Sequence, residues 1–377
     1  MTLLLGFLPL AIWLYLLLAH NGFWQLKERD GHEVLPAPAR WPSVVAVVPA
    51  RNEADVIQKS ICSLLAQDYQ GDFRVILVDD QSDDGTASLL RAMNFDKLTI
   101  LSGVQRPPGW AGKLWAMHQG VAKADEFAPD FLLFTDADIA HAPDNLSRLV
   151  ARAEQDGKVL VSLMARLSCA SWAEAFLIPA FVFFFDMLFP FGAVNDPKNK
   201  LAAAAGGCML ARRSNLIVAG GIEAIHRNII DDCALARLMK PQGPIWLGLS
   251  DRAVSLRPYD GFAEIRRMVA RSAYAQLSYS PLLLLGTLLG LFVVYIAPVG
   301  MALFGAGLGQ IAGWATWIIM ALMFQPMLRF YRLSPFWGLA LPLMGLTYAA
   351  FTLDSAIQHW RGRGGMWKGR AQAETKI

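Results

Sequence analysis

The stretch Phe131-Leu132-Leu133-Phe134-Thr135-Asp136-Ala137-Asp138 decides the fold: an apolar run stops abruptly at two carboxylates one residue apart. Such a run predicts a strand buried on both faces of a parallel sheet. Open α/β sheets bind ligands outside the carboxyl ends of their strands, so these acids stand where a ligand would. Alternation turns residues i and i+2 of a strand to one face, which lets Asp136 and Asp138 point the same way. Two hard oxygen donors beside solvent suit Mg²⁺ or Mn²⁺ that still holds water or phosphate. The competing reading is a strand end running into a polar turn, where Asp is common.

Upstream, β-branched and apolar runs at 44–48, 73–78 and 98–101 predict three more strands. Helical patterns lie between them, from after Glu53 to about 67, after Thr86, and from 112 to about 123. This alternation predicts a doubly wound parallel sheet. Right-handed crossovers then bring the strand ends to one rim, formed by Glu53, Asp79, Asp80, Asp136 and Asp138. Acids gathered on strand ends favour a ligand site over an ordinary turn. No GxGxxG follows the first strand and no GxxxxGK[ST] occurs, which argues against dinucleotide and P-loop sites. Carboxylates can accept hydrogen bonds from ribose or base. They repel phosphate unless a cation intervenes, so this rim calls for a metal.

The chain has 377 residues, 55% hydrophobic and 17% charged, with a mean hydropathy of +0.36. That leaves room for one sizeable soluble domain plus membrane segments. A net charge of +3 supplies no basic field for nucleic acid. Cys62, Cys169, Cys208 and Cys233 form no CxxC pair, so they read as small buried residues in a reducing compartment. The histidines form no HExxH, and a lone His118 or His226 reads as structural or exposed rather than as a ligand.

Residues 2–19 are uncharged and mostly apolar, and no basic n-region precedes them, so 1–24 reads as a retained membrane anchor. Lys27 and Arg29 follow it and place the next domain in the cytoplasm by the positive-inside rule. Residues 25–43, with Pro36, Pro38 and Pro42, read as a linker, and 44–260 as the catalytic domain. Within it, 171–192 is aromatic and broken by Pro179, Asp186 and Pro190. It is expected to lie in the headgroup layer, with a buried core helix as the alternative. The small residues of 202–208 permit close backbone approach. Asp231 and Asp232 either cap a helix or include a general base. Residues 261–280 set Phe262, Ile265, Met268 and Val269 against Arg266, Arg267 and Arg271, the pattern of an interfacial helix. Within 281–360, spans are expected at about 281–304, 310–328 and 336–357. Three spans leave the basic tail 361–377, with Arg361, Arg363, Lys368 and Arg370, on the side opposite the catalytic domain. A re-entrant 336–357, which contains Pro342 and Asp354, would remove that conflict.

The ordered series Pro49-Ala50-Arg51-Asn52-Glu53, Val78-Asp79-Asp80-x-Ser82-x-Asp84-Gly85-Thr86, Gly112-Lys113 with Ala116, Asp136-Ala137-Asp138 and Asp231-Asp232 resembles the family 2 inverting glycosyltransferases. It is most similar to membrane-anchored members that glycosylate lipids, closest to the bacterial hopene-associated glycosyltransferases. The resemblance implies an α/β GT-A fold, Rossmann-like with a mostly parallel sheet, flanked by transmembrane helices. It implies a nucleotide-sugar donor held by Pro49, Arg51, Glu53, Asp79, Lys113, Asp136 and Ala137. Asp136 and Asp138 would bind Mg²⁺ or Mn²⁺, Asp138 the more directly, and Asp232 beside Asp231 would be the catalytic base. Processive members carry Gln-x-x-Arg-Trp after the base. Aligned on Arg271, this chain has Met268 and Ser272 at the Gln and Trp positions, so single-sugar transfer is expected. Arg271 would still meet the diphosphate.

The resemblance implies a UDP-sugar donor, a hopanoid or related terpenoid acceptor, and a multi-pass protein of the bacterial inner membrane with its catalytic domain in the cytoplasm. A polyprenyl phosphate is the rival acceptor, for which Arg212, Arg213 and Arg266 offer charge. A reading of another class, a transport or assembly subunit with an inactive transferase-like domain, is disfavoured because Asp79, Asp138 and Asp232 are all present.

Overall fold

The computed structural model describes residues 2–31, 33–367 and 370–371, with side chains described for 7–31 and 33–365. The expected basic tail therefore falls partly outside the described residues, including Lys368, residues 372–377 and the side chain of Arg370. The chain forms two compact units.

Glu28–Ser168 with Ala193–Pro258 form the first unit. Its strands are β1 (Val44–Ala50), β2 (Phe73–Asp79), β3 (Leu98–Ser102), β4 (Phe131–Thr135), β5 (Ile139–His141), β6 (Leu160–Arg166), β7 (Cys208–Arg212) and β8 (Ile245–Ser255). Among the described residues they make one eight-stranded sheet in the order β3-β2-β1-β4-β7-β6-β8-β5. The four strands expected from the sequence are present and mutually parallel. Every residue of β1 and β4 is buried, whereas β3, at the sheet edge, is only partly buried.

The sheet is mixed rather than uniformly parallel. β7 runs antiparallel to both β4 and β6, and β5 antiparallel to β8. This reversal has a consequence at the rim. Because β7 is inverted, its beginning lies beside the end of β4, with Thr135 paired to Cys208. Gly206 and Gly207 are thereby brought to the carboxylates. The backbone after Asp138 turns at once into β5, whose pairing of Ile139 with Ser255 brings the end of β8 to the same place.

The expected linker is partly fixed to this unit. Asp30, its side chain 4% exposed, pairs with Arg148 and Arg252, each at 3.2 Å, and Glu33 pairs with Arg152 at 3.0 Å. Proline content at 36–42 marked a linker, but these ion pairs are long-range and leave no local signal.

The other unit comprises the chain up to Lys27, Cys169–Gly192 and Tyr259–Gly364. The helix Thr2–Leu18 carries Trp13, which is fully buried and donates its indole N–H to the carbonyl of Val294 at 2.9 Å. The aromatic segment expected in the headgroup layer is instead a largely buried helix, Trp172–Leu188. Its polar residues are satisfied internally. Ser171 and Glu174 form a capping box, and Asp186 accepts from the amide of Phe191 at 3.0 Å. A sequence pattern cannot distinguish apolar surface facing lipid from apolar surface facing protein, which is why the buried alternative prevailed.

Pro281–Phe304, Gly307–Phe330 and Pro335–Trp360 are long and apolar enough to cross a membrane. The third opens as a 3-10 helix, Pro335–Ala340, and runs on as the α-helix Leu341–Trp360. Pro342 sits in its first α-helical turn, where a missing N–H costs little. Asp354 is paired with Arg266 at 3.8 Å. The helix Phe262–Ala270 buries Ile265, Val269 and Ala270 and leaves Arg266 and Arg267 exposed.

Close packing of the sheet depends on Gly120 in the helix Gly112–Ala124. A Cβ there would lie 2.4 Å from Val47 and 3.0 Å from Val78. Both are core side chains with little freedom to move. Gly120→Ala should therefore lower stability by about 1–3 kcal/mol despite alanine's better helix propensity. A denaturant midpoint unchanged from the parent would refute this packing account.

Candidate active site

Four loops meet at the carboxyl ends of β1, β2 and β4 and the beginning of β7. The first two interlock through the motif residues. The amide of Asn52 donates to Ser82 Oγ at 3.0 Å and the amide of Asp83 to Asn52 Oδ1 at 3.1 Å. Thr86, fully buried, accepts from the Glu53 amide at 2.9 Å and donates to Asp84 Oδ1 at 2.6 Å. Asp84 also accepts from the Ala54 amide at 2.9 Å. Burial pushes the Asp84 carboxyl up, but its hydrogen bonds from Thr86 and Ala54 together outweigh that push and hold it below the ordinary value. Ser82, Asp84 and Thr86 thus shape the rim, and Asp79 and Glu53 stand on it.

Arg51, expected beside a nucleotide, is tied into this lock. Its guanidinium donates to the carbonyls of Asp80 and Gln81 and lies 3.8 Å from the Asp80 carboxylate. It is 9% exposed. Its place is that of a brace for the loop after β2. Pro49 ends up in a narrow cleft with Lys113, Thr135, Asp136 and Gly206.

The paired acids lie one step beyond where strand alternation would put them. β4 stops at Thr135, and Asp136-Ala137-Asp138 is a turn closed by the Ile139 amide on the Asp136 carbonyl at 3.2 Å. Ala137 points inward and is buried, while the side chains of Asp136 and Asp138 are 36% and 25% exposed. Each meets a different cation. Lys113 Nζ lies 2.7 Å from Asp136 and 2.9 Å from Asp231. Arg257, just past β8, contacts Glu53 and lies 3.7 Å from Asp138 and 3.8 Å from Asp55. Burial alone would depress the Lys113 pKa, but Asp136 and then Asp231 outweigh it and hold the ammonium firmly charged.

Asp232 is positioned by backbone. Its Oδ2 accepts from the Gly206 amide at 3.0 Å and its Oδ1 from the Cys233 amide at 2.7 Å. A Cβ on Gly206 would lie 3.3 Å from Lys113 Nζ and 3.4 Å from Asp232 Oδ2, so glycine suits this approach. Burial, and then the neighbouring Asp231 charge, push the Asp232 pKa up to about 6. Lys113 opposes that shift.

Beneath the acids lies a polar chain that sequence reading did not single out. Thr135 donates to the Gly207 carbonyl at 2.8 Å and contacts His141 Nε2 at 2.9 Å, and Asn145 reaches His141 Nδ1 at 2.9 Å. Burial lowers the His141 pKa to about 4, so the ring is neutral and structural. Arg257 was missed for a different reason: no local motif marks it, and only the β5–β8 pairing brings it to Asp138. Arg271 belongs to the helical unit, at the end of Phe262–Ala270. All four cysteines are free, and burial raises the Cys208 thiol to about 12, which leaves it unreactive.

The family description "Glycosyl transferase family 2" matches residues 45–218. This part of the chain is a family 2 glycosyltransferase domain. The chain is 33% identical over 122 residues to the succinoglycan biosynthesis protein ExoO of Rhizobium meliloti, covering 32% of this chain and 33% of that one. It is 28% identical over 129 residues to the undecaprenyl-phosphate 4-deoxy-4-formamido-L-arabinose transferase of Yersinia enterocolitica, covering 32% and 37%. The matches span only about a third of these relatives' length. Among solved structures, the mannosyltransferase PcManGT of Pyrobaculum calidifontis, in complex with GDP-Man and Mn²⁺, aligns over 94% of this chain and 99% of its own at 21% identity, with a TM-score of 0.53. The sheet of this glycosyltransferase domain is thus of the Rossmann-like GT-A type.

The lock between the first two loops can be tested without touching a charged residue. Thr86→Val keeps the side-chain shape but orphans the Glu53 amide, and should cost about 1–3 kcal/mol. Equilibrium unfolding would measure it, and a cost within error of zero would remove Thr86 from the lock.

Proposed function

We propose that the chain transfers one sugar from a nucleotide-sugar, a UDP-sugar, to a hydroxyl of a membrane lipid, a hopanoid or related terpenoid, with inversion at the anomeric carbon. The observation that carries the reading is Asp232. It is a carboxylate with a pKa raised to about 6, held by two backbone amides beside the lysine that bridges Asp136 and Asp231. A pKa near the working pH is what a general base needs. A hydroxyl acceptor requires that base. A phosphate acceptor, whose second pKa is about 6, is already ionised and requires none.

In this reading Asp79, Glu53 and Pro49 lie along the nucleotide, and Lys113, Asp136 and Ala137 face the donor's diphosphate and sugar. Asp232 takes the proton from the acceptor hydroxyl. The hydroxyl oxygen bonds to the anomeric carbon as the bond to the diphosphate oxygen breaks, and a single displacement inverts that centre. No covalent nucleophile is called for.

The donor set at the rim fits a hard divalent cation. Asp136 and Asp138 offer carboxylate oxygens next to solvent. No group of three or more His, Cys, Asp or Glu side chains stands ready among the described residues. Water and diphosphate would therefore complete the shell, as Mg²⁺ and Mn²⁺ allow. Bound there, the ion would neutralise charge on the departing diphosphate as a Lewis acid.

Three helices of crossing length and the basic helix Phe262–Ala270 support a lipid acceptor and a multi-pass protein of the bacterial inner membrane, with the catalytic domain in the cytoplasm. A polyprenyl phosphate is the second reading, favoured by the similarity to the Yersinia transferase.

Transfer assays in detergent, with UDP- and GDP-sugars offered separately, should show product on a hopanoid alcohol and little on a polyprenyl phosphate. The reverse result would hand the assignment to the second reading. Because only ionised Asp232 accepts a proton, kcat/KM should fall as pH drops through about 6. Asp232→Asn should lower kcat by about 10²–10⁴-fold and abolish that acid limb. A variant that kept both rate and limb would show the base to be elsewhere.

A further inference from the structure

We propose that Arg257 is an exchangeable counterion at the carboxylate pair. It holds Asp138 until a divalent cation arrives, then serves the donor's diphosphate, and so makes metal and nucleotide bind cooperatively. The proposal rests on the sugar-transfer reading and extends it to a residue that no motif marks.

Three observations carry it. First, the placement is enforced by backbone. The Leu256 amide donates to the Asp138 carbonyl at 2.8 Å, and Ile139 pairs with Ser255, so Arg257 emerges from β8 directly beside the paired acids. Second, its contacts are unequal. The guanidinium is anchored on Glu53, whose side chain is 10% exposed and whose amide is fixed by Thr86. It reaches Asp138 only at 3.7 Å and Asp55 at 3.8 Å. The firm partner sets the position and the looser one can be exchanged. Third, each acid of the pair already meets a cation: Asp136 lies 2.7 Å from Lys113 and Asp138 lies 3.7 Å from Arg257.

From these follows a linkage. A divalent cation entering alone must compete with Lys113 for Asp136 and with Arg257 for Asp138. A nucleoside diphosphate supplies oxygens that both displaced cations can take, and a guanidinium matches them with paired donors. Each ligand therefore relieves the cost the other meets. By thermodynamic reciprocity, nucleotide raises metal affinity by the same factor as metal raises nucleotide affinity.

The test reads binding rather than turnover. Mn²⁺ is titrated into the full chain in detergent and free Mn²⁺ is followed by electron paramagnetic resonance, alone and with UDP or GDP. For the parent, one of the two nucleotides should tighten Mn²⁺ binding by about tenfold or more. Arg257→Gln should bind Mn²⁺ alone more tightly than the parent, by several-fold, yet lose most of the nucleotide enhancement. Arg257→Lys, which keeps the charge if the glutamine variant does not fold, should retain part of that enhancement. Arg257→Gln with unchanged Mn²⁺ affinity and full enhancement, or weakened equally in both conditions, overturns the proposal. Asp138→Asn is the control: undiminished Mn²⁺ binding by that variant would sink the metal reading of the site itself, and this proposal with it.

Discussion

Electrostatic crowding governs this molecule. One sheet rim carries Glu53, Asp79, Asp80, Asp136 and Asp138, and the helix that follows adds Asp231 and Asp232. Like charges so close in a partly buried site repel strongly, and the fold answers with cations supplied from other parts of the chain. Arg51 lies 3.8 Å from the Asp80 carboxylate. Lys113 stands between Asp136 and Asp231, and Arg257 between Glu53 and Asp138. Among the described residues, each acid of the Asp136–Asp138 pair thus meets a cation of its own.

The same crowding tunes Asp232. Asp232 is raised by burial and by Asp231 and restrained by Lys113, with two backbone amides fixing both of its oxygens. Those amides come from a helix start and from the glycine that precedes an inverted strand. Were β7 parallel like its neighbour β4, its opposite end would lie at this rim and Gly206 would be elsewhere. The antiparallel insertion therefore shapes this rim, since it delivers the Gly206 amide to the Asp232 carboxylate. Two carboxylates adjacent in sequence are thereby given different tasks. Asp231 is neutralised by an ammonium, and Asp232 is left available to a proton.

The motif residues divide by role in a way their spacing does not announce. Ser82, Asp84 and Thr86 accept and donate hydrogen bonds that join the loops after β1 and β2, and Arg51 braces the second loop through its carbonyls. These side chains shape the rim. Glu53 does both, joined to Thr86 through its amide and to Arg257 through its carboxylate. A series of conspicuous residues in one sequence can thus mix ligand-facing groups with the scaffolding that aims them.

Hydrophobic runs determined the four parallel strands, because burial on both faces demands an unbroken apolar stretch such as 131–134. Chain length and polarity likewise determined the three long apolar helices, and the position of acids after strands located the rim. Pairing between remote segments decided the rest. The strands β6 and β8 are interrupted by Ser162 and Asp251 and β7 is short, and their order depends on which edges remain to be satisfied. That order brought Arg257 and Gly206 to the acids and ended β4 one residue before Asp136. A side chain's neighbours across tens or hundreds of residues are set by the summed packing of the whole unit, which no local pattern encodes.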